Sequence, residues 1–178
     1  GRRLEQFGLE LPPDAPIGEA WLLADLPESF PDSRTPIANG PWAGATLRDA
    51  IATDRRTLLG DAMPGEEGGF PLLLKLLDAR ENLSVQVHPT PAYVRCHPGC
   101  HVKSEAWIVL EAAPGAVIYK GLRPERSAQL DAAEFRARVA EGTVVEDLEA
   151  VEVRPGDCHY LPSGTCHALG AGILVAEV

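Results

Sequence analysis

The chain lacks the features that would direct it to a membrane or to nucleic acid. It has no apolar run that approaches the roughly 18 residues of a spanning helix, and no signal peptide, internal repeat or low-complexity tract is visible in these residues. Positive charge is scarce, because 16 basic residues stand against 26 acidic ones and the formal net charge is −10. These absences argue against nucleic acid and membranes as partners and predict a cytoplasmic protein.

Cysteine is also sparse, and the expected cytoplasmic setting predicts reduced thiols. The four cysteines are Cys96, Cys100, Cys158 and Cys166. The first two lie in a C-x-x-x-C-H pattern, which is one residue longer than the haem-attachment motif, so we do not expect haem. A disulfide or a second metal site stays an alternative, because Pro98-Gly99 could turn the two thiols toward each other. The preferred interpretation is a surface loop with free thiols.

Glycine and proline, by contrast, are abundant. Seventeen glycines and 16 prolines in 178 residues favour a turn-rich β protein over a helical bundle. A hydrophobic content of 45% suffices for a sizeable core, and the length predicts a single domain over residues 1–178.

Local patterns predict two helices and many short strands. One helix begins at a capping box formed by Thr46 and Asp49 and stops at Gly60, and a second covers residues 131–141. Residues 61–69 form a polar loop between elements. The predicted strands cover residues 72–77, 84–88, 105–111, 116–119, 150–153, 158–161 and 173–178, with a hairpin turn at 113–115. Many closely spaced strands predict a small barrel or jelly roll.

The most informative motif spans residues 156–167 and reads G-x5-P-x-G-x2-H. Its glycines and proline mark a strand, a turn and a returning strand that begins with His167. Upstream, Gln86 and His88 alternate on one face of a strand, and Glu105 opens another strand. These four side chains form a mixed nitrogen and oxygen set. We expect them to hold one divalent metal, most simply zinc.

Three further side chains suggest a charged substrate. Lys75 interrupts an apolar run, so it either forms an ion pair with Asp78 or Glu81 or serves as a cationic site residue. Lys103 precedes Glu105 by two residues, so the two side chains share one face of the strand. Lys103 would then put positive charge at the edge of the metal site.

Ser84 precedes Gln86 by two residues and therefore lies on the same strand face. Its hydroxyl either binds phosphate or is merely solvated at the strand end. Trp107 shares the face of Glu105 and is expected to pack in the core. His159 is interpreted as a structural residue.

The two halves of the metal motif resemble the two-part cupin signature, although Ala171 stands where an Asn usually closes it. Gln86 in place of a His, and Glu105 after a long loop, resemble the pattern of type I phosphomannose isomerases. Further similar fragments occur in that family's order at residues 17–21, 70–79, 83–89, 103–107 and 172–177. The resemblance implies a mainly β fold, a cupin (jelly-roll) barrel with two or three short helices.

The resemblance also implies an activity. The family members are metal-dependent aldose–ketose isomerases that interconvert mannose 6-phosphate and fructose 6-phosphate through an enediol. The implied catalytic residues are Lys75, Lys103 and Glu177, with Ser84 and Lys103 binding a small phosphosugar. Two alternatives stay open: a cupin oxygenase that uses Fe(II), and a non-catalytic module that binds metal or sugar.

Similar bacterial enzymes continue past this last strand into an Arg-bearing segment and a second cupin domain. The sequence stops at Val178, so we expect the second domain of the family to be absent. On that expectation, the 178 residues alone bind metal without efficient turnover.

Overall fold

The structure, a computed structural model, describes residues 1–27, 30, 33–65 and 68–178. Two residues of the loop expected at 61–69, numbers 66 and 67, lie outside this description. The described residues form two compact units. The larger unit comprises Gly1–Gly18 and Leu77–Ala176, and the smaller one comprises Glu19–Leu76 and Glu177–Val178. The single domain expected over residues 1–178 stays a prediction.

Short β-strands dominate the fold. They are β1 (Glu19–Leu23), β2 (Leu74–Ala79), β3 (Gln86–Val87), β4 (Glu105–Ala112), β5 (Val117–Leu122), β6 (Leu148–Glu152), β7 (Cys158–Leu161), β8 (Cys166–Leu169) and β9 (Ile173–Glu177). In the larger unit one sheet has the order β2–β9–β4–β7 and the other has the order β3–β8–β5–β6. The pairs β3–β8, β4–β7, β5–β6 and β5–β8 are antiparallel.

The two sheets of the larger unit share one apolar core. Trp107 and Val109 of β4 meet Ile118 of β5 and Leu169 of β8 in the same buried cluster. Along β4 the buried positions alternate, so Glu105 lies on the same inward face as Trp107 and Val109. The predicted packing role of Trp107 is thereby confirmed. The alternation also places a carboxylate inside the two sheets.

The helices are few and short. Within the described residues they are α1 (Leu47–Leu59), α2 (Pro91–Val94), α3 (Pro124–Gln129) and α4 (Ala132–Glu141), with 3-10 turns at Arg2–Phe7 and Val144–Asp147. Thr46 and Asp49 form the predicted capping box, and Gly60 ends α1. The mainly β class is therefore confirmed.

One predicted connection is wrong. Residues 113–115 do form a tight turn, in which the Ala116 amide donates to the Ala113 carbonyl at 3.0 Å. The strands on either side are not a hairpin, because β4 belongs to one sheet and β5 to the other. Ala116 and Ile118 enter the core from the sheet opposite Trp107. Burying both apolar faces in one core thus sends the chain across the unit instead of back along β4.

The smaller unit is organised around a buried carboxylate. Asp25 accepts hydrogen bonds from Arg48 Nε at 3.0 Å and from the Phe70 amide at 2.7 Å. No helix in the described ranges combines the length and apolar character that crossing a membrane requires.

Candidate metal centre

Three of the four predicted ligands meet in the larger unit. His88 follows β3, Glu105 opens β4 and His167 lies in β8. One potential ligand atom from each of the three lies within 4.8 Å of the others. Glu105 and His167 are each only 3% exposed, so the cluster faces the core rather than solvent.

The Glu105 carboxylate is the centre of this cluster. Its Oε2 lies 3.1 Å from His88 Nε2, and its Oε1 lies 3.2 Å from His167 Nε2. The ammonium of Lys103 also contacts Oε2. Three nitrogen groups therefore surround one buried carboxylate.

His167 is held in the form that a metal ligand needs. Its Nδ1 lies 2.8 Å from the Thr165 carbonyl oxygen, which can only accept, so Nδ1 carries a proton and donates it. The edge of the His167 ring packs against Trp107, with ring centroids 5.5 Å apart. Both contacts orient the imidazole so that Nε2 points at Glu105.

The buried Nε2 of His167 has no hydrogen-bond partner in the described part of the chain. With Nδ1 protonated, its lone pair faces the Glu105 carboxylate at 3.2 Å, so two acceptors oppose each other. Such an arrangement requires a cation between them, either a proton or a metal ion. The residues present therefore fit a divalent metal.

The electrostatics of the cluster favour ligand forms for two of the three groups. Burial would raise the pKa of Glu105, but its close contacts with His167 and Lys103 outweigh burial and hold that pKa well below its usual range. Burial, followed by the charge of Lys103, lowers the pKa of His88. At neutral pH Glu105 is thus ionised and His88 neutral.

His167 differs from His88 in the direction of its shift. Burial alone would lower its pKa, but the Glu105 carboxylate and the Thr165 carbonyl together raise it. In the absence of a metal, a proton on His167 therefore takes the position between the two acceptors. Metal binding has to displace that proton.

The structure places Gln86 beside this cluster through strand pairing. Gln86 lies directly opposite His167 in the β3–β8 ladder, so their side chains share a face of the sheet. Its side-chain amide is 3.4 Å from the Ser84 hydroxyl, and both residues are exposed. Roles of Gln86 as fourth ligand and Ser84 as phosphate contact stay predictions.

The other two predicted catalytic residues belong to the smaller unit, where they form an ion pair. Lys75 Nζ lies 3.4 Å from Glu177 Oε1 and 3.4 Å from Glu19 Oε2. The ion-pair partners predicted for Lys75 from the sequence, Asp78 and Glu81, are therefore wrong. Glu177 is buried and Lys75 half-buried, so the pair places opposite charges in a partly desolvated position.

The cysteine loop is described without a bond between its two thiols. In the structure Cys96 and Cys100 are both free cysteines, the first exposed and the second half-buried. Among the described residues, the sole group of His, Cys, Asp and Glu side chains close enough for a metal is the one around Glu105. His97 instead stacks on Tyr93, with ring centroids 3.8 Å apart. The free-thiol interpretation stays a prediction.

The sequence interpretation missed the contribution of Thr165. Its carbonyl fixes the tautomer of His167, and a backbone group leaves no mark in residue type. The predicted turn before His167 was the one available indication. In it the Thr165 amide donates to the Pro162 carbonyl at 3.0 Å, which fixes the segment before His167.

Comparisons with known proteins show what the whole chain is similar to. A family model described as phosphomannose isomerase type I, catalytic domain, matches residues 2–107. A mannose-6-phosphate isomerase from Streptococcus mutans serotype c is 36% identical over 178 residues, which are 99% of this chain and 52% of that protein. The chain thus spans about half the length of this curated relative.

Solved structures show the same fold. The mannose 6-phosphate isomerase from Bacillus subtilis matches with a TM-score of 0.78 and 31% identity, over 99% of this chain and 52% of its own. The enzyme from Salmonella typhimurium, solved bound to its substrate fructose 6-phosphate and zinc, matches with a TM-score of 0.65 and 20% identity. That match covers 99% of this chain and 63% of the other.

Proposed function

The chain belongs to the type I phosphomannose isomerase family, and from this premise we propose that it supplies the metal centre of a mannose-6-phosphate isomerase. The observation that carries the proposal is the buried cluster of His88, Glu105 and His167, with two acceptors facing each other across it. The reaction is the interconversion of mannose 6-phosphate and fructose 6-phosphate.

The substrate and the metal are inferred from relatives. The Streptococcus mutans protein is a mannose-6-phosphate isomerase, and the Salmonella typhimurium enzyme binds fructose 6-phosphate and zinc. Nitrogen and carboxylate ligands suit zinc. His88, Glu105 and His167, with Gln86 as the fourth ligand, would hold the ion. When bound, it would supply Lewis-acid stabilisation for the negative charge that develops on the sugar oxygens.

The reaction moves a proton between C2 and C1 of the open-chain sugar through an enediol. It needs a base, a group that stabilises negative charge, and an anchor for the phosphate. Lys103 suits the second task, because its ammonium contacts Glu105 while its side chain stays 37% exposed and can turn toward a ligand. Ser84 is the proposed hydroxyl donor to the phosphate.

Glu177 is the proposed base. A carboxylate that moves a proton between carbon atoms must be kept from bulk water and in one orientation. The burial of Glu177 and its ion pair with Lys75 meet both requirements within the smaller unit. Lys75 is therefore proposed as the residue that orients it.

A coupled isomerase assay on the metal-free and zinc-loaded chain tests this function. We expect slow but measurable formation of fructose 6-phosphate from mannose 6-phosphate, only with metal, and its loss in His88→Ala and His167→Ala. Tight zinc binding without any conversion would contradict the isomerase and favour the non-catalytic module. Metal-dependent consumption of oxygen would favour the oxygenase.

A further inference from the structure

A row of three polar side chains crosses the inner face of the sheet formed by β3, β8 and β5. His167 in the middle strand lies directly opposite Gln86 of β3 and directly opposite Lys120 of β5. Residues paired across strands point to the same side of a sheet, on strands about 4.8 Å apart. Lys120 thus belongs to the face that carries the metal cluster.

The packing of β5 supports this orientation. Ile118, two residues before Lys120, is fully buried in the core and pairs with Leu169, which is also in the core. Side chains two apart on a strand share a face, so Lys120 points inward with Ile118. Lys120 itself is half-buried.

Strand β5 has a local irregularity at Lys120. Between Tyr119, which pairs with Ala150, and Leu122, which pairs with Leu148, the register of β5 against β6 shifts. Two residues of β5 there oppose one of β6, which is a β-bulge, and Gly121 adopts a φ of +77°. Bulges of this kind re-aim side chains and occur often beside active sites.

The sequence contains three lysines, and their partners differ. Lys75 pairs with Glu19 and Glu177, and Lys103 contacts Glu105. The Lys120 side chain forms no hydrogen bond or ion pair with any residue that the structure describes. In a chain with a net charge of −10, a half-buried ammonium without an acidic partner is unexpected on structural grounds alone.

We propose that Lys120 binds the phosphate group of the sugar substrate. The inference rests on the proposed isomerase function. Its position one strand from His167 lets its flexible stem reach a group attached to a sugar held at the metal cluster. A lysine binds phosphate as a point charge, which needs no further fixed geometry. Lys103 remains available for the charge that develops at the reacting carbons.

Calorimetric titration of the zinc-loaded chain with mannose 6-phosphate, mannose and inorganic phosphate tests this role. Lys120→Met should weaken mannose 6-phosphate about tenfold to a hundredfold, which is typical for loss of a charged hydrogen bond. Its affinity for mannose should not change. Lys120→Arg should restore most of the loss. Arg136→Met, which removes an exposed charge from α4, is the matched control and should bind as the unaltered chain does.

A second measurement needs no variant. Because the chain has three lysines, acetylation of each can be followed by mass spectrometry of the unaltered protein. Mannose 6-phosphate should slow the acetylation of Lys120, whereas mannose should not. This readout holds even if Lys120→Met fails to fold.

The outcomes separate this inference from the proposed function. If the unaltered chain binds mannose 6-phosphate and Lys120→Met binds it equally well, the role of Lys120 is overturned and the isomerase function stands. If Lys120 governs binding of inorganic phosphate while mannose 6-phosphate does not bind, the anion site is supported and the proposed substrate is wrong. If neither ligand binds or protects Lys120, both proposals fail.

Discussion

Glu105 and Asp147 are both buried carboxylates of the larger unit, but they differ in the groups that neutralise them. Asp147 accepts hydrogen bonds from Arg126 Nε and Arg138 Nε, each at 2.7 Å. Glu105 faces two imidazoles and one ammonium. Guanidinium groups keep their charge at every accessible pH, whereas imidazoles gain and lose a proton near neutrality.

The remaining contacts of the two clusters widen this difference. Arg126 also binds Glu134, and Arg138 also binds Glu146, each at 2.8 Å, so the ions around Asp147 form a closed network. Around Glu105 the Nε2 of His167 is left without a hydrogen bond in the described residues. A complete network holds a fold together, and an incomplete one is ready to take up a ligand.

The largest expected effect concerns the histidines. His88→Ala or His167→Ala should weaken zinc binding more than about a hundredfold, because even loss of a group that merely orients a ligand costs up to that much. Competition with a chromogenic chelator measures the affinity. Asp147→Asn, in protein shown to be folded, should bind zinc as the unaltered chain does. Equal losses of zinc affinity in all three variants would contradict the assignment of zinc binding to the Glu105 cluster alone.

Lys103→Met should lower isomerase turnover about a hundredfold, which is typical for loss of one charged group at a transition state. The zinc content should stay at that of the unaltered chain, since Lys103 is not a ligand. The steady-state rate and a metal analysis of the same sample check both points. Arg95→Met is the control, because Arg95 is an exposed cation that also lies between β3 and β4. Unchanged turnover in Lys103→Met would confine this residue to neutralising Glu105.

The predictions above concern residues whose roles short sequence patterns indicate, whereas other features of the site could not be predicted from such patterns. Fixed spacing of Gly, Pro and His around a turn identifies His167, because the backbone leaves few ways to build that turn. Caps likewise locate α1 and α4, where Thr46 and Asp131 accept hydrogen bonds from the first turn. These features can be predicted because each depends on the chemistry of a few neighbouring residues.

The missed features depend instead on strand pairing between distant segments. Lys120 stands near the metal cluster only because β5 pairs with β8, and the turn at 113–115 leads to the opposite sheet only because both faces bury in one core. Neither fact is encoded in a short window of residues. The four side chains around Asp147 are brought together in the same way, by the packing of α3, α4 and the turn before β6.

The two clusters should also respond to different ranges of pH. The pKa of His167 is raised, so its proton is bound already above the usual imidazole value and competes with zinc as the pH falls. Zinc affinity should therefore fall about tenfold per pH unit through and below that range, since each bound metal displaces one proton. Titrations between pH 8 and 5 measure this slope. A flat profile would rule out histidine ligands.

The smallest effect is on stability. Hydrogen bonds from Arg138 and Arg126, opposed only in part by burial, lower the pKa of Asp147. A lowered folded-state pKa stabilises the protein above the unfolded value near 3.8, and this contribution is lost as the pH falls through the folded value. Asp147→Asn should therefore melt a few degrees lower near neutral pH.

The difference between Asp147→Asn and the unaltered chain should shrink in acid, where the unaltered carboxyl also becomes neutral. Calorimetry at a series of pH values checks this convergence. A constant gap down to strongly acidic pH would show that Asp147 contributes through packing rather than through its charge.

Anomalous scattering at the zinc edge, from crystals of the chain grown with zinc, tests the central claim most directly. We expect one peak, within about 2.0–2.2 Å of the imidazole nitrogens of His88 and His167 and of a Glu105 oxygen. The Lys103 ammonium should have moved off the carboxylate. A peak elsewhere, or none at this cluster with zinc in excess, would contradict a metal centre built on Glu105.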